Sequence, residues 1–248
     1  MTQFYLPTPT WPAPGLTVRL DGDEAKHARD AYRLTAGDEI RIFDGKGKAS
    51  VGTISEAAKS GLEIRIDRAL DPDPVFPVQL DLGQALMPNQ TMDDVMRQAT
   101  ELGVSRVWPI ACERSIVKLD AAKRLAKLEH WRKTSLAACK QCDRNTLPEI
   151  MPVIGADDLV GRFNEFGAVL TACPQKPEGE LGLWISDKPL DPARILLLIG
   201  PEGDFSPDEI ARFSANGSRI VSLGPLILKS DTAAASAISV LQYLIRSI

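Results

Sequence analysis

The chain has only two histidines and four cysteines among its 248 residues. His27 and His130 sit near no serine or cysteine nucleophile motif, so Ser–His and Cys–His catalysis find no support. Cys112, Cys139, Cys142 and Cys173 are too few for a disulfide framework in a chain this long. Cys139-Lys140-Gln141-Cys142 has half the ligands of a zinc site and reads as two small residues one helical turn apart. No apolar run approaches the ~18 residues of a membrane span. Met1 to Pro7 lacks a basic segment followed by an apolar stretch, so it does not read as a signal peptide. The expectation is a cytosolic protein with no metal and no membrane partner. Neither of the two common phosphate-loop patterns, GxGxxG and GxxxxGKS/T, occurs. Internal repeats and low-complexity tracts are also missing.

What the chain does have is the composition of a globular protein, 44% hydrophobic and 25% charged residues. Its net charge of −4 averages over a pattern. Residues 97–144 carry 11 basic and 5 acidic side chains, whereas every other stretch is net acidic. Phosphate binding needs a local positive field rather than a basic total. That segment is either an RNA-facing surface or a solvated helix face.

Composition breaks at Asp71-Pro72-Asp73-Pro74-Val75-Phe76-Pro77, where three prolines in seven residues disfavour helix and sheet. Before this linker, strand candidates at Glu39–Phe43, Ala49–Ser55 and Leu62–Leu70 and a helix at Asp23–Leu34 predict a small β-barrel over residues 1–73. After it, residues 74–248 alternate strands and helices, the signature of an α/β domain. The helix over residues 90–102 takes Asn89 as its cap. Ile195 to Ile199 shows no polar alternation, so both faces of that strand should be buried in a parallel sheet.

Two loops carry the chemistry. The first, Leu198-Ile199-Gly200-Pro201-Glu202-Gly203-Asp204-Phe205, follows the buried strand. Ser206-Pro207-Asp208-Glu209 then forms a capping box with proline at the first helical position. Gly200 and Gly203 let backbone amides approach a ligand. Glu202 and Asp204 would repel a phosphate but suit a positive centre or ribose hydroxyls. The second loop, Leu223-Gly224-Pro225-Leu226-Ile227-Leu228-Lys229-Ser230-Asp231-Thr232, again leads from a strand into a helix, with Ser230 or Asp231 as cap. Loops at the ends of parallel strands are where ligands bind in such sheets, and the two together could build one pocket.

These motifs resemble the ribosomal RNA uridine-N3 methyltransferases (RsmE type) of the trefoil-knotted SPOUT superfamily. The likeness continues in Ala99-Thr100-Glu101-Leu102-Gly103-Val104, in Glu113-Arg114-Ser115, and in Ala137-Ala138-Cys139-x-Gln141-Cys142-x-Arg144-Asn145. It extends to His27–Leu34 and Phe43-Asp44-Gly45, and so covers nearly the whole chain. The chain departs from the family pattern at Asp204, where a glycine is common, and at Leu226, where arginine is frequent.

The resemblance implies a PUA-like RNA-binding β-barrel over residues 1–73. It implies a knotted SPOUT methyltransferase domain over 74–248 that forms a homodimer. It further implies S-adenosyl-L-methionine as cofactor and 16S ribosomal RNA, within the small subunit, as partner. Carried onto this sequence, the cofactor residues are Leu198, Ile199, Gly200, Glu202, Gly203, Leu223, Gly224, Leu228 and Ser230. RNA would be held by His27, Arg29, Arg33, Arg97, Arg114, Lys118, Arg144 and Lys229. Arg114 and Arg144 are the candidates for stabilising negative charge on the uracil. Two other readings stand beside this one: a 2′-O-ribose methyltransferase of the same superfamily acting on transfer RNA, and a non-catalytic RNA-binding protein.

Overall fold

A computed structural model describes residues 1–74, 76–175, 177–182 and 194–246. The chain divides into two compact units. One comprises Met1–Pro74 with Leu136–Leu147, the other Val75–Ser135 with Pro148–Ile248. Thus Leu136–Leu147 clusters with the N-terminal residues, although the sequence division assigned it to the C-terminal segment.

The first unit holds β1 (Gln3–Tyr5), β2 (Thr17–Leu20), α1 (Gly22–Asp30), β3 (Glu39–Phe43), β4 (Ala49–Ala58) and β5 (Gly61–Ala69). Its sheet runs β1-β3-β4-β5-β2. All five strands and α1 contribute to one core, among them Phe4, Leu20, Ala25, Ile40, Ile54 and Ile64. Irregular register in β4 at Val51/Gly52 and Ile54/Glu56 bends the sheet about that core. Helix α1 ends four residues earlier than the sequence predicts. Arg33 takes the left-handed conformation (φ 56°), and Leu34 N–H donates to the Ala28 carbonyl at 3.1 Å.

Polar contacts tie Leu136–Leu147 into this unit. The Asp73 carboxylate accepts from the backbone N–H of Asn145 (2.9 Å) and Thr146 (2.7 Å). Arg41 donates to the Asn145 side chain at 2.7 Å, and Lys140 pairs with Glu24.

The second unit is built on an eight-stranded sheet whose pairs are all parallel. Its strands are β6 (Gln79–Ala85), β7 (Arg106–Ala111), β8 (Glu149–Ile150), β9 (Ile154–Gly155), β10 (Ala168–Ala172), β11 (Gly179–Glu180), β12 (Arg194–Ile199) and β13 (Arg219–Ser222). The order is β11-β13-β10-β12-β6-β7-β8, with β9 also on β7. Helices α2 (Asn89–Glu101), α3 (Ala121–Cys142) and α6 (Ser230–Arg246) supply residues to the core that contains Ile195, Leu197 and Ile199. Helices α4 (Ala156–Val160) and α5 (Pro207–Ala215) supply the core that contains Leu196 and Leu198.

Alternation along β12 thus sends successive residues to opposite layers. All five of Ile195–Ile199 are at most 2% exposed, as the unbroken apolar run predicted. Helix α2 begins at Asn89 itself, so Pro88 occupies the cap position expected for Asn89. Of the expected linker, Val75 lies outside the described residues, and its described neighbours form neither helix nor strand.

A charged residue sits in the middle of this sheet. Asp81 on β6 is fully buried. Its carboxylate accepts from Arg106 Nε (2.6 Å), Trp108 Nε1 (3.0 Å) and Arg194 Nη1 (2.8 Å). Three donors from β7 and β12 thereby lock the register of the three central strands. Removing one partner of a buried pair costs more than the pair contributes, because the remaining charges stay desolvated. Asp81→Ala is expected to lose about 3–5 kcal/mol of stability at neutral pH. Urea unfolding measures this, and a loss below about 1 kcal/mol, the scale of an exposed ion pair, would remove the network from the account.

Candidate active site between two strand-end loops

Strands β10, β12 and β13 end side by side, and their following loops enclose a cavity of about 290 Å³. Ala172, Cys173 and Pro174 form one wall. Ile199, Gly200, Pro201, Glu202 and Asp204 form the second, and residues of the stretch Ser222–Ala233 form the third. The two glycine-proline loops therefore meet around one space.

Each loop is held by its own chemistry. In the first, Asp204 N–H donates to the Pro201 carbonyl at 2.8 Å, closing a turn. A Cβ on Gly200 would stand 2.9 Å from Asp204 Oδ1 and 3.0 Å from Phe205 N, so a side chain here would press on the turn. Beyond the turn, Ser206 accepts from Glu209 N–H at 3.2 Å and Glu209 Oε2 accepts from Ser206 N–H at 2.8 Å. This is the capping box read from the sequence. In the second loop, Gly224 has φ 118°, a conformation L side chains rarely adopt.

One hydroxyl fastens the loops together. Ser230 Oγ donates to the Gly200 carbonyl at 2.5 Å and accepts from Gln84 Nε2, on β6, at 3.1 Å. Both side chains are buried. Helix α6 starts at Ser230, so Asp231 lies within its first turn, where the helix dipole favours a carboxylate.

Arg114 reaches the first loop from outside the cavity. Its Nη1 donates to the Gly203 carbonyl at 2.9 Å. The segment carrying it is pinned by Glu113 N–H, which donates to Glu209 Oε1 at 2.9 Å. A single buried carboxylate thus caps α5 with one oxygen and holds the arginine segment with the other. Nothing in the spacing of Glu113 and Glu209 signals this contact.

Of the predicted cofactor residues, Ile199, Gly200, Glu202, Leu223, Gly224, Leu228 and Ser230 line the cavity. Leu198 does not: one residue along the strand, it points into the opposite core layer. Gly203 does not either. A Cβ there would lie 3.8 Å from the Arg114 side chain, so its open side faces the arginine. The sequence reading missed Ala172, Cys173 and Pro174, because the end of β10 carries no motif.

Cys173 is buried. Its thiol donates to Asp204 Oδ2 at 3.1 Å. Burial first, then that hydrogen bond, pushes its pKa up to about 12. At neutral pH it is therefore a neutral donor rather than a nucleophile.

The predicted RNA residues fall in both units. In the first, His27 packs edge-on against Tyr32 (5.1 Å between centroids), Arg29 donates to the carbonyls of Ala58 and Lys59, and Arg33 is exposed. Arg144 is half-buried, and desolvation lowers the pKa of its guanidinium against the opposing effect of Cys139, Asp73 and Cys142. In the second unit, Arg97 pairs with Asp94 and Glu101 on α2, while Lys118 and Lys229 are exposed. Of the two arginines expected to act on the uracil, Arg114 stands beside the cavity loop in the second unit, and Arg144 belongs to the first unit.

Residues 74–242 match the family model of the RNA methyltransferase domain, and residues 20–67 match that of the RNA methyltransferase PUA domain. The chain belongs to this RNA methyltransferase family. A ribosomal RNA small subunit methyltransferase E from Neisseria gonorrhoeae, solved bound to S-adenosyl methionine, is 30% identical. It superposes with a TM-score of 0.88 over 98% of each chain. A methyltransferase from Legionella pneumophila, solved with its cofactor SAM, is 32% identical with a TM-score of 0.88, covering 98% of this chain and 97% of that one. The ribosomal RNA small subunit methyltransferase E of Aquifex aeolicus is 31% identical over 88% of this chain and 90% of its own. The likeness to the methyltransferase family noted in the motifs therefore holds along the whole chain.

Glu209 makes the site's framework testable. Glu209→Ala strips partners from two N–H groups, at roughly 1–3 kcal/mol for each unsatisfied donor. Ser206→Ala removes one cap, at about 1 kcal/mol. Urea unfolding should rank Glu209→Ala as clearly the more destabilising. Equal losses would mean that the Glu113 contact contributes nothing.

Proposed function

We propose that this chain methylates N3 of a uridine in small-subunit ribosomal RNA, with S-adenosyl-L-methionine as methyl donor. The observation that carries the reading is the single cavity shared by the two strand-end loops. The cavity fits the donor. Its volume of about 290 Å³ is near the lower end of small-molecule sites, roughly 300–1,000 Å³. Ile199, Leu223 and Leu228 offer apolar surface for an adenine, and Glu202 and Asp204 offer carboxylates to hydroxyls or a positive centre. When bound, S-adenosylmethionine supplies an electrophilic methyl group on a sulfonium sulfur.

The chain's own residues then have two tasks. One is alignment: the two loops, tied by Ser230, hold the donor, and fixing two reactants in place contributes roughly 7–11 kcal/mol to such reactions. The other is charge. Uracil N3 must lose a proton, and a cation nearby stabilises the anion that results. Arg114 is proposed for this role, being fixed on the Gly203 carbonyl beside the cavity. Arg144 is proposed as an RNA contact whose burial limits its freedom. His27, Arg29 and Arg33 on the first unit, and Arg97, Lys118 and Lys229 on the second, are proposed to hold RNA phosphates. The target base must leave its stack to reach the methyl group.

The knot, the homodimer and the assembled subunit as substrate belong to the same proposal. The Ser230–Gly200 bond supports a C-terminal segment laced against the first loop. Leu226 (75% exposed), Ile227 (87%) and Tyr243 (72%) present apolar surface near the cavity and on α6, which supports burial by a second copy.

The deciding assay is labelled methyl transfer to small subunits from cells lacking the native enzyme, compared with naked ribosomal RNA and transfer RNA, followed by nucleoside mass spectrometry. The expected product is 3-methyluridine in the ribosomal RNA. Methyl on a ribose, or on transfer RNA alone, would replace this reading with the 2′-O alternative.

Two glycines separate binding from transfer. Gly200→Ala crowds the loop and should weaken donor affinity at least tenfold by calorimetry. Gly203→Trp should displace Arg114, leaving donor affinity within about twofold while transfer falls at least tenfold. The opposite pattern would return Gly203 to the cofactor wall.

A further inference from the structure

The first loop holds an oddity. Asp204 has φ 60°, a left-handed conformation that glycine adopts without strain and that side-chain-bearing residues rarely enter. Yet the position carries a carboxylate, and the residue is part of the cavity wall. Two neutral donors hold it. Phe205 N–H donates to Oδ1 at 2.8 Å, and the Cys173 thiol donates to Oδ2 at 3.1 Å. These bonds orient the group. Among the described residues of the wall, Glu202 adds a second acidic side chain, against the basic side chain of Lys229.

This charge has a consequence for the reaction. Methyl transfer breaks the bond between sulfur and methyl carbon, and the sulfur keeps the electron pair. The N3 nitrogen forms the new bond to carbon, and its former proton passes to solvent. The donor therefore enters with a net charge of one positive unit, and S-adenosylhomocysteine leaves neutral. A fixed carboxylate near the sulfur attracts the sulfonium of the first and meets no charge on the sulfur of the second.

We propose that Asp204 sets the preference of this cavity for the cationic methyl donor over its neutral demethylated product, and so limits product inhibition. The inference rests on the cavity being the methyl-donor site. It concerns Asp204 as a positioning and specificity residue, held by Cys173, rather than as a group that reacts.

Calorimetric titration of the full chain with each ligand tests it. The wild type is expected to bind S-adenosylmethionine more tightly than S-adenosylhomocysteine. Asp204→Asn keeps an oxygen acceptor and the side-chain shape but removes the charge. It should lower the ratio of affinities about threefold to tenfold, the scale of one charge pair several ångströms apart at a partly solvated site, with the loss falling on the donor. Asp204→Gly, which also relieves the backbone, should do the same. An unchanged ratio, or equal weakening of both ligands, would make Asp204 a loop holder only and overturn the proposal.

Salt provides a readout that needs no variant. Donor affinity of the wild type should fall between low and high ionic strength while product affinity stays level; parallel behaviour counts against the proposal. If the wild type binds both ligands equally, this inference fails and the cavity assignment stands. If it binds neither, both fail.

Discussion

The Ser230 hydroxyl is the small group on which the site depends. It joins the carbonyl of Gly200 to the side chain of Gln84, so three elements far apart in sequence share one buried atom. Without it, the start of α6 would lose its side-chain ties to the paired ends of β12 and β6. A hydroxyl is suited to this because it donates once and accepts besides. Its position at the first residue of α6 means that the apolar face of that helix, through Ala234, Ala237, Ile238 and Leu241, fixes it by packing. Core burial is thereby converted into loop geometry.

The outer wall follows the same logic with a carboxylate in place of a hydroxyl. Glu209 spends one oxygen on its own helix and the other on Glu113. The arginine that follows then meets the Gly203 carbonyl. Helix α5, the first loop and the Arg114 segment behave as one body around a cavity that is otherwise made of short loops. Sites held on the ends of rigid elements keep their geometry better than sites on free loops. Among the described residues, no helix is long and apolar enough to cross a membrane.

Much of this was legible in the sequence wherever the determinant is local. The unbroken run Ile195–Ile199 announced a doubly covered strand. Ser206, Pro207 and Glu209 announced a helix start, and the structure has both halves of the capping box. Legibility ends where the determinant is distant or is a matter of facing. Leu198 and Ile199 look alike in sequence, but the pleat sends them to opposite layers. Asp81 reads as an ordinary charge until Arg106, Trp108 and Arg194 arrive from neighbouring strands. Cys173 has no motif to mark it, and its place on the wall comes from β10 lying between β12 and β13. The early end of α1 turns on one left-handed residue, Arg33, which helical spacing cannot foresee.

The central claim is that both loops close on one donor molecule. Amide hydrogen exchange, read by mass spectrometry with and without saturating S-adenosylmethionine, tests it most directly. Peptides covering 199–205 and 222–230 are expected to gain protection together, at the same donor concentration. Protection of one stretch without the other, or of neither, would contradict it.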